Sequence, residues 1–239
     1  MAPYLIVDFP SSGGTGGIKQ KAFADCTWEE VKAICDANLA STYWSIGDEK
    51  PMTLGTSVKT LRIIGFSHDV VTDQETYGKT HAAITLEMID PQDTLKGVMN
   101  STTYTDTAWY HTSSNYHCNF RKTLLPKFLS NEMPHDLTSI LVPVNKEFRN
   151  SGGTKQTISD TLFLLSTNEI TGTYTSGNGS EGTQYAYFKA GNSPAHGVSY
   201  WTRSCIAGQA RFQYINSTGG VSTTFVNTDT LYGFPCMCI

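Results

Sequence analysis

The stretch Gly197–Gly220, "GVSYWTRSCIAGQARFQYINSTGG", decides how the rest of the chain is read. It opens on rings and hydroxyls around Trp201, Arg203 and Ser204, then runs on through aromatics, amides and glycines. Such alternation predicts short strands joined by tight turns. Two readings of the run after Trp201 stand side by side. Rigid rings with adaptable amides and hydroxyls suit a recognition surface; its candidate contacts are Gln209, Arg211, Gln213, Tyr214, Asn216 and Asn227. An ordinary hairpin would instead turn Phe212, Tyr214 or Phe225 into a core.

Upstream, the local signals are mixed. Thr27 followed by Glu30 has the spacing of a capping box, and Trp28, Val31, Ile34 or Cys35, and Leu39 mark one helical face. "KTLRIIGFSH" and "AAITLEMI" read as strands. "FRKTLLPKFLS" reads as a helix that Pro126 interrupts or begins, and "DLTSILVPVNKEF" as a strand or short helix. "DTLFLLSTNEI" has an apolar run dense enough for a buried strand, and residues 172–199 are turn-rich. The economical architecture is α+β, with one domain over residues 21–239. Ahead of it, Tyr4, Leu5, Ile6, Val7 and Phe9 form an apolar tip joined by "PSSGGTGG". Residues 1–20 read either as a disordered tail or as a docking segment, a strand on a Gly/Ser linker that adds to a partner.

Composition narrows the function classes. The 239 residues are 39% hydrophobic and only 16% charged, so a sizeable core would sit under a surface polar through hydroxyls and amides. A net charge of -4 argues against nucleic acid, which needs clustered Lys and Arg. Lys19, Lys21, Arg121 and Lys122 come closest to clustering, and a solvated face explains them. The sequence holds no apolar run long enough to predict a membrane span, and its start lacks the basic region of a signal peptide. Cys26 and Cys35 bracket the first helix and would lie about 13 Å apart, beyond the roughly 7 Å that a disulfide tolerates. The six cysteines are therefore expected to be reduced and mostly buried.

Catalytic and metal signals are thin. His111 and His117, beside Cys118, lack a matching ligand pair at zinc spacing. His68 and Asp69 fit a hydrogen-bonding loop pair better than a base with its orienting carboxylate. Ser204 lacks a nucleophile elbow, and nothing in sequence gives Cys205 an electropositive setting. "MIDPQDT" and "FVNTD" have too few oxygen ligands for a calcium loop. No cofactor, no metal and no catalytic residue is expected.

Seven segments, in order, carry a family resemblance: "TWEEVKAICDANLASTYWSIGD", "IIGFSHD", "FRKTLLPKF", "TLFLLSTNEI", "YAYFKAGNS", "YWTRS" and "YGFPCMCI". Together they resemble a family found in phage structural proteins and in secreted proteins of gut Firmicutes. The Trp-x-Arg-Ser pattern and the closing segment also look like the end of C-type-lectin-like folds, among them formylglycine-generating relatives and retroelement-diversified variable proteins. Cys205 stands where the pattern has Pro, and no Arg separates Phe234 from Pro235. The resemblance implies a C-type-lectin-like domain in which Trp201 fills the core and Arg203 bridges loop carbonyls or a carboxylate, with Ser204 part of the same structural hub. It further implies a virion protein, a tail- or head-fibre adhesin that binds a host-surface glycan or protein. Such a protein would dock to other virion proteins through residues 1–20, trimerise, and leave the host cytoplasm by lysis. The alternatives are a non-binding capsid or baseplate decoration protein and a formylglycine-generating-type enzyme.

Overall fold

The computed structural model describes residues 20–173, 180–228 and 230–239. The docking candidates Tyr4, Leu5, Ile6, Val7 and Phe9 lie outside the described residues.

The strands in chain order are β1 (Glu49–Leu54), β2 (Ser57–Phe66), β3 (Ile84–Met88), β4 (Lys96–Gly97), β5 (Val144–Arg149) and β6 (Lys155–Asp160). They continue as β7 (Leu162–Phe163), β8 (Tyr200–Cys205), β9 (Arg211–Ile215), β10 (Val221–Phe225), β11 (Leu231–Tyr232) and β12 (Cys236–Cys238). One five-stranded sheet has the order β1-β2-β3-β12-β7 and a second the order β10-β9-β8-β11-β4, while β5 and β6 pair alone. Short helices are interleaved, so the class is α+β.

The first helix, Trp28–Asp36, forms for the local reason its sequence suggests. The Thr27 hydroxyl accepts from Glu30 N at 3.1 Å, and Glu30 Oε2 accepts from Thr27 N at 2.8 Å. The box thus satisfies two of the donors a helix start leaves open. Trp28, Val31, Ile34 and Cys35 are buried, and Leu39 packs partly buried against the same core.

Pro126 acts as both a break and a beginning. Lacking an N–H, it cannot bond the Lys122 carbonyl four residues back. Residues Phe120–Leu124 widen instead into a π turn, closed by Leu125 N on the Phe120 carbonyl, and the chain runs straight into the α-helix Leu125–Asn131. "DLTSILVPVNKEF" divides into the helical turn His135–Thr138 and β5.

"DTLFLLSTNEI" corrects the strand reading. Only Leu162–Phe163 pair in a sheet; Ser166 then caps the helix Thr167–Thr171. The Ser166 hydroxyl accepts from Glu169 N while Glu169 Oε2 accepts from Ser166 N, each at 3.0 Å. A Ser-x-x-Glu box ends the strand even though its apolar run continues.

The closing "GFPCMCI" explains itself in the first sheet. β12 lies between β3 and β7, antiparallel to both, with Cys236 opposite Glu87 and Phe163. Cys236, Met237 and Cys238 have no exposed surface, so thiols serve here as small core side chains. All six cysteines are free and buried, in line with the expectation from their spacing. Gly233, just before β12, passes so close to Phe120 that an added Cβ would lie 2.4 Å from its ring. One hydrophobic cluster runs from Phe23 to Ile239.

Candidate ligand site

Trp201, Arg203 and Ser204 sit on β8, every residue of which is buried. Trp201 fills the core and donates its indole N–H to the Gly97 carbonyl at 2.8 Å. The fully buried Arg203 guanidinium uses all five of its N–H groups. Nε donates to the Glu147 carbonyl at 2.8 Å; Nη1 donates to the Leu164 carbonyl at 2.8 Å and to Glu169 Oε2 at 2.5 Å. Nη2 donates to Glu169 Oε1 at 2.7 Å and to the Glu181 carbonyl at 3.3 Å. Arg203 therefore bridges carbonyls of β5 and of two loops and a carboxylate at once, a fork geometry that lysine cannot reproduce.

The network extends beyond what the sequence reading named. The buried Lys146 ammonium donates to Asp69 at 2.6 Å and to the Tyr185 hydroxyl at 3.0 Å, and lies 2.7 Å from Glu169 Oε1. Asp69 also accepts from the Thr85 hydroxyl at 2.6 Å and from Tyr185 at 2.8 Å. Arg203 and Lys146 offset Glu169 and Asp69, so these four charges sum to zero. Burial alone would raise the Asp69 pKa, but the Lys146 ammonium and hydrogen bonds from Lys146 and Thr85 hold it at about 2. Glu181 is different. Burial pushes its carboxyl up to about 7, against the pull of Arg203 and the hydrogen bond from Ser204.

Little in the sequence marks this network. Lys146 lies in the polar run Asn145–Lys146–Glu147 and Glu169 follows Ser166, Thr167 and Asn168; the one local signal is that Glu169 completes the Ser166 box. His68 and Asp69 do not form the loop pair expected of them. Asp69 turns inward to Lys146, while the His68 ring stacks on Tyr185 at 4.0 Å. A cavity of about 280 Å³ beside the network is lined by His68, Asp69, Lys146, Glu169 and Thr183 among others. Its charged lysine and aspartate are engaged with each other or with Glu169.

The six candidate recognition residues fall into three kinds of position. Gln209 is exposed in the β8–β9 turn, and Arg211 is half-exposed with its guanidinium 4.1 Å from the Phe225 ring. Tyr214 is half-buried, edge-on to Trp201 at 6.4 Å, and Gln213 is only 4% exposed. The Asn216 Oδ1 accepts from Thr218 N, the Thr218 hydroxyl and Gly220 N, which shapes the β9–β10 turn. Asn227 is half-buried, and its Oδ1 is buried without a hydrogen-bond partner among the described residues. Phe212 fills the core and Phe225 stays exposed, so the hairpin serves both the core and the surface.

The far end of this hairpin abuts a pocket that the sequence reading did not find. Asn100 N donates to the carbonyl of Val226, the residue before Asn227, at 2.9 Å. From there the chain forms a polar pocket of about 280 Å³, lined by residues between Val98 and Thr123. Ser101, Thr102, Ser114, Asn115, Asn119 and Lys122 are among its lining. Loop-to-loop hydrogen bonds fix its walls: Ala108 N to the Tyr116 carbonyl, Cys118 N to Ala108, and Asn119 N to Met99. The neighbouring Arg121 belongs to no solvated cluster. It donates to Asp160 at 2.6 Å and to the Ser159 carbonyl at 3.1 Å, and Asp160 in turn accepts from the Trp109 indole at 2.8 Å. Among the described residues no group of three His, Cys, Asp or Glu side chains is placed to hold a metal ion, and no helix is long and apolar enough to cross a membrane.

These features define an α+β domain in which a sealed ionic network underlies a polar surface of amides and hydroxyls. Residues 87–239 match the family described as "Domain of unknown function (DUF6273)", and the chain belongs to that family. The match begins inside β3, so β1 and β2 complete the same sheet from outside it. Neither a curated protein nor a solved structure matches the chain.

Proposed function

We propose that this chain is a recognition module, a phage virion adhesin of the tail- or head-fibre kind that binds a host-surface carbohydrate or protein. In this reading residues 21–239 form a C-type-lectin-like display domain, and residues 1–20 dock it to other virion proteins. Trimerisation would add avidity to weak single sites. The observation that carries the reading is the division between a sealed scaffold and an open polar surface. Trp201, Arg203 and Ser204 are fully engaged in the interior, whereas Gln209, Arg211 and the 98–123 pocket present hydrogen-bonding groups outward. The resemblance of the ordered segments to phage structural proteins supports the virion setting.

An enzymatic reading of the formylglycine-generating kind would need a reactive thiolate. Burial raises the pKa of all six thiols, that of Cys35 and Cys118 to about 12. Such thiols are poor nucleophiles. The test is binding of fluorescent full-length protein, and of a 1–20 deletion, to a panel of gut bacterial cells. Strain-selective binding that survives the deletion supports an adhesin. Attachment to virions with no binding to any cell would leave a decoration protein.

A further inference from the structure

We propose that the pocket between Val98 and Thr123 takes an anionic sugar, a hydroxyl-bearing ring with one carboxylate or one phosphate. This rests on the recognition reading above and names the ligand class of that surface.

Charge is the first argument. Lys122 is exposed at the pocket and no carboxylate lines it among the described residues. Its ammonium donates to the Ser114 carbonyl at 3.1 Å, which leaves two of its three N–H groups for a ligand. His117 adds no charge near neutrality. Burial, with Arg121 and Lys122 close by, brings its pKa down to about 4. Arg121 is taken up by Asp160, the Ser159 carbonyl and His117 Nε2. One fixed positive charge is therefore left to face a ligand.

Hydrogen-bonding character is the second. Apart from Lys122 the lining is neutral: the hydroxyls of Ser101, Thr102 and Ser114 and the amides of Asn115 and Asn119. Such groups both donate and accept, as sugar hydroxyls do. Tyr104 adds a half-buried ring, held edge-on to Tyr116 at 5.0 Å.

Preorganisation is the third. Lys122 and Thr123 belong to the π turn that Pro126 enforces, and such turns occur frequently at functional sites. Arg121 pins that turn to β6, while Lys122 reaches the Ser114 carbonyl at the pocket. A ligand meets a wall already shaped, which lowers the ordering cost of binding.

The experiment is calorimetric titration of the full-length protein with methyl uronides and sugar phosphates of gluco, galacto and manno configuration, against the matching neutral methyl glycosides. At least one anion should bind about tenfold or more tightly than its neutral counterpart, the ratio a charge-assisted hydrogen bond gives. Lys122→Gln, an exposed change that leaves the fold intact by circular dichroism, should erase the difference. Whether uronides or phosphates respond identifies the source of the charge. No anion preference, or a preference that Lys122→Gln leaves unchanged, overturns the proposal. If wild type and variant still bind the same cells equally, the recognition reading survives that failure; loss of all cell binding by wild type removes the reading itself.

Discussion

Arg203 grips both carboxylate oxygens of Glu169, at 2.5 and 2.7 Å, in a position where neither residue touches solvent. The pair joins β8 to the start of the helix Thr167–Thr171, and Glu169 also closes that helix's capping box. Losing one partner strands a buried charge. Glu169→Ala should therefore cost about 3–5 kcal/mol in urea denaturation. Arg203→Lys should cost nearly as much, because three donors cannot meet five acceptors.

Glu181 contributes a stability that falls as pH rises toward neutrality. Its folded pKa, about 7, lies above the ordinary 4.5, so the folded state holds this proton more tightly. Stability from this group is full below the unfolded value and is lost as pH rises through the folded one. His117, held at about 4 in the fold, and the likewise lowered His68 oppose this up to about pH 6.5, so the Glu181 effect is read as a difference: the urea midpoint of wild type relative to Glu181→Gln should fall between pH 5 and pH 8. A difference between the two proteins that stays flat or rises over this range would contradict the assignment. At the acid end Asp69 works the other way: its stabilisation is present above 3.8 and fades as pH approaches 2.

The thiols offer a direct check on the non-enzymatic reading. In the native protein Ellman's reagent should label almost none of them, and in denaturant all six. A single fast-reacting cysteine in the folded state would reopen the enzyme alternative.

Gly233 is a packing requirement. An alanine there would drive its methyl into the Phe120 ring, 2.4 Å away. Overpacking of this kind typically costs about 1–3 kcal/mol, so Gly233→Ala should lower the thermal midpoint. Paired with Phe120→Leu, part of the loss should return.

Asn216 and Gln209 separate the two roles of the hairpin. Asn216→Ala removes three hydrogen bonds within the β9–β10 turn and should destabilise by about 1 kcal/mol. Gln209→Ala, on an exposed turn, should leave the unfolding curve unchanged and act on binding alone. Both are read by denaturation alongside cell binding.

What could be read from the chain follows the range of the interactions. The Thr27 box, the helical face from Trp28 to Cys35 and the strands around Leu61 and Leu86 rest on neighbours, and they were legible. The interior role of Arg203 came from a resemblance, because nothing near it in sequence marks its partner. Asp69, Lys146 and Glu169 become visible only when distant segments meet. The strand expected over Asp160–Ile170 failed on a local rule, since Ser166 and Glu169 form the same box as Thr27 and Glu30. The 98–123 pocket is made of loops, and loops have no periodicity to read.

The placement of β12 between β3 and β7 governs how this protein must fold. Cys236 pairs with Glu87, and most of the domain lies between them in sequence. Closing so long a loop has to precede any reward from the contact. Until then β3 and β7 each present an unpaired edge, the kind of surface on which partly folded chains associate. Slow refolding, on the order of milliseconds to seconds, and a yield that falls with protein concentration are the kinetic signature of a sheet in which an interior strand arrives late.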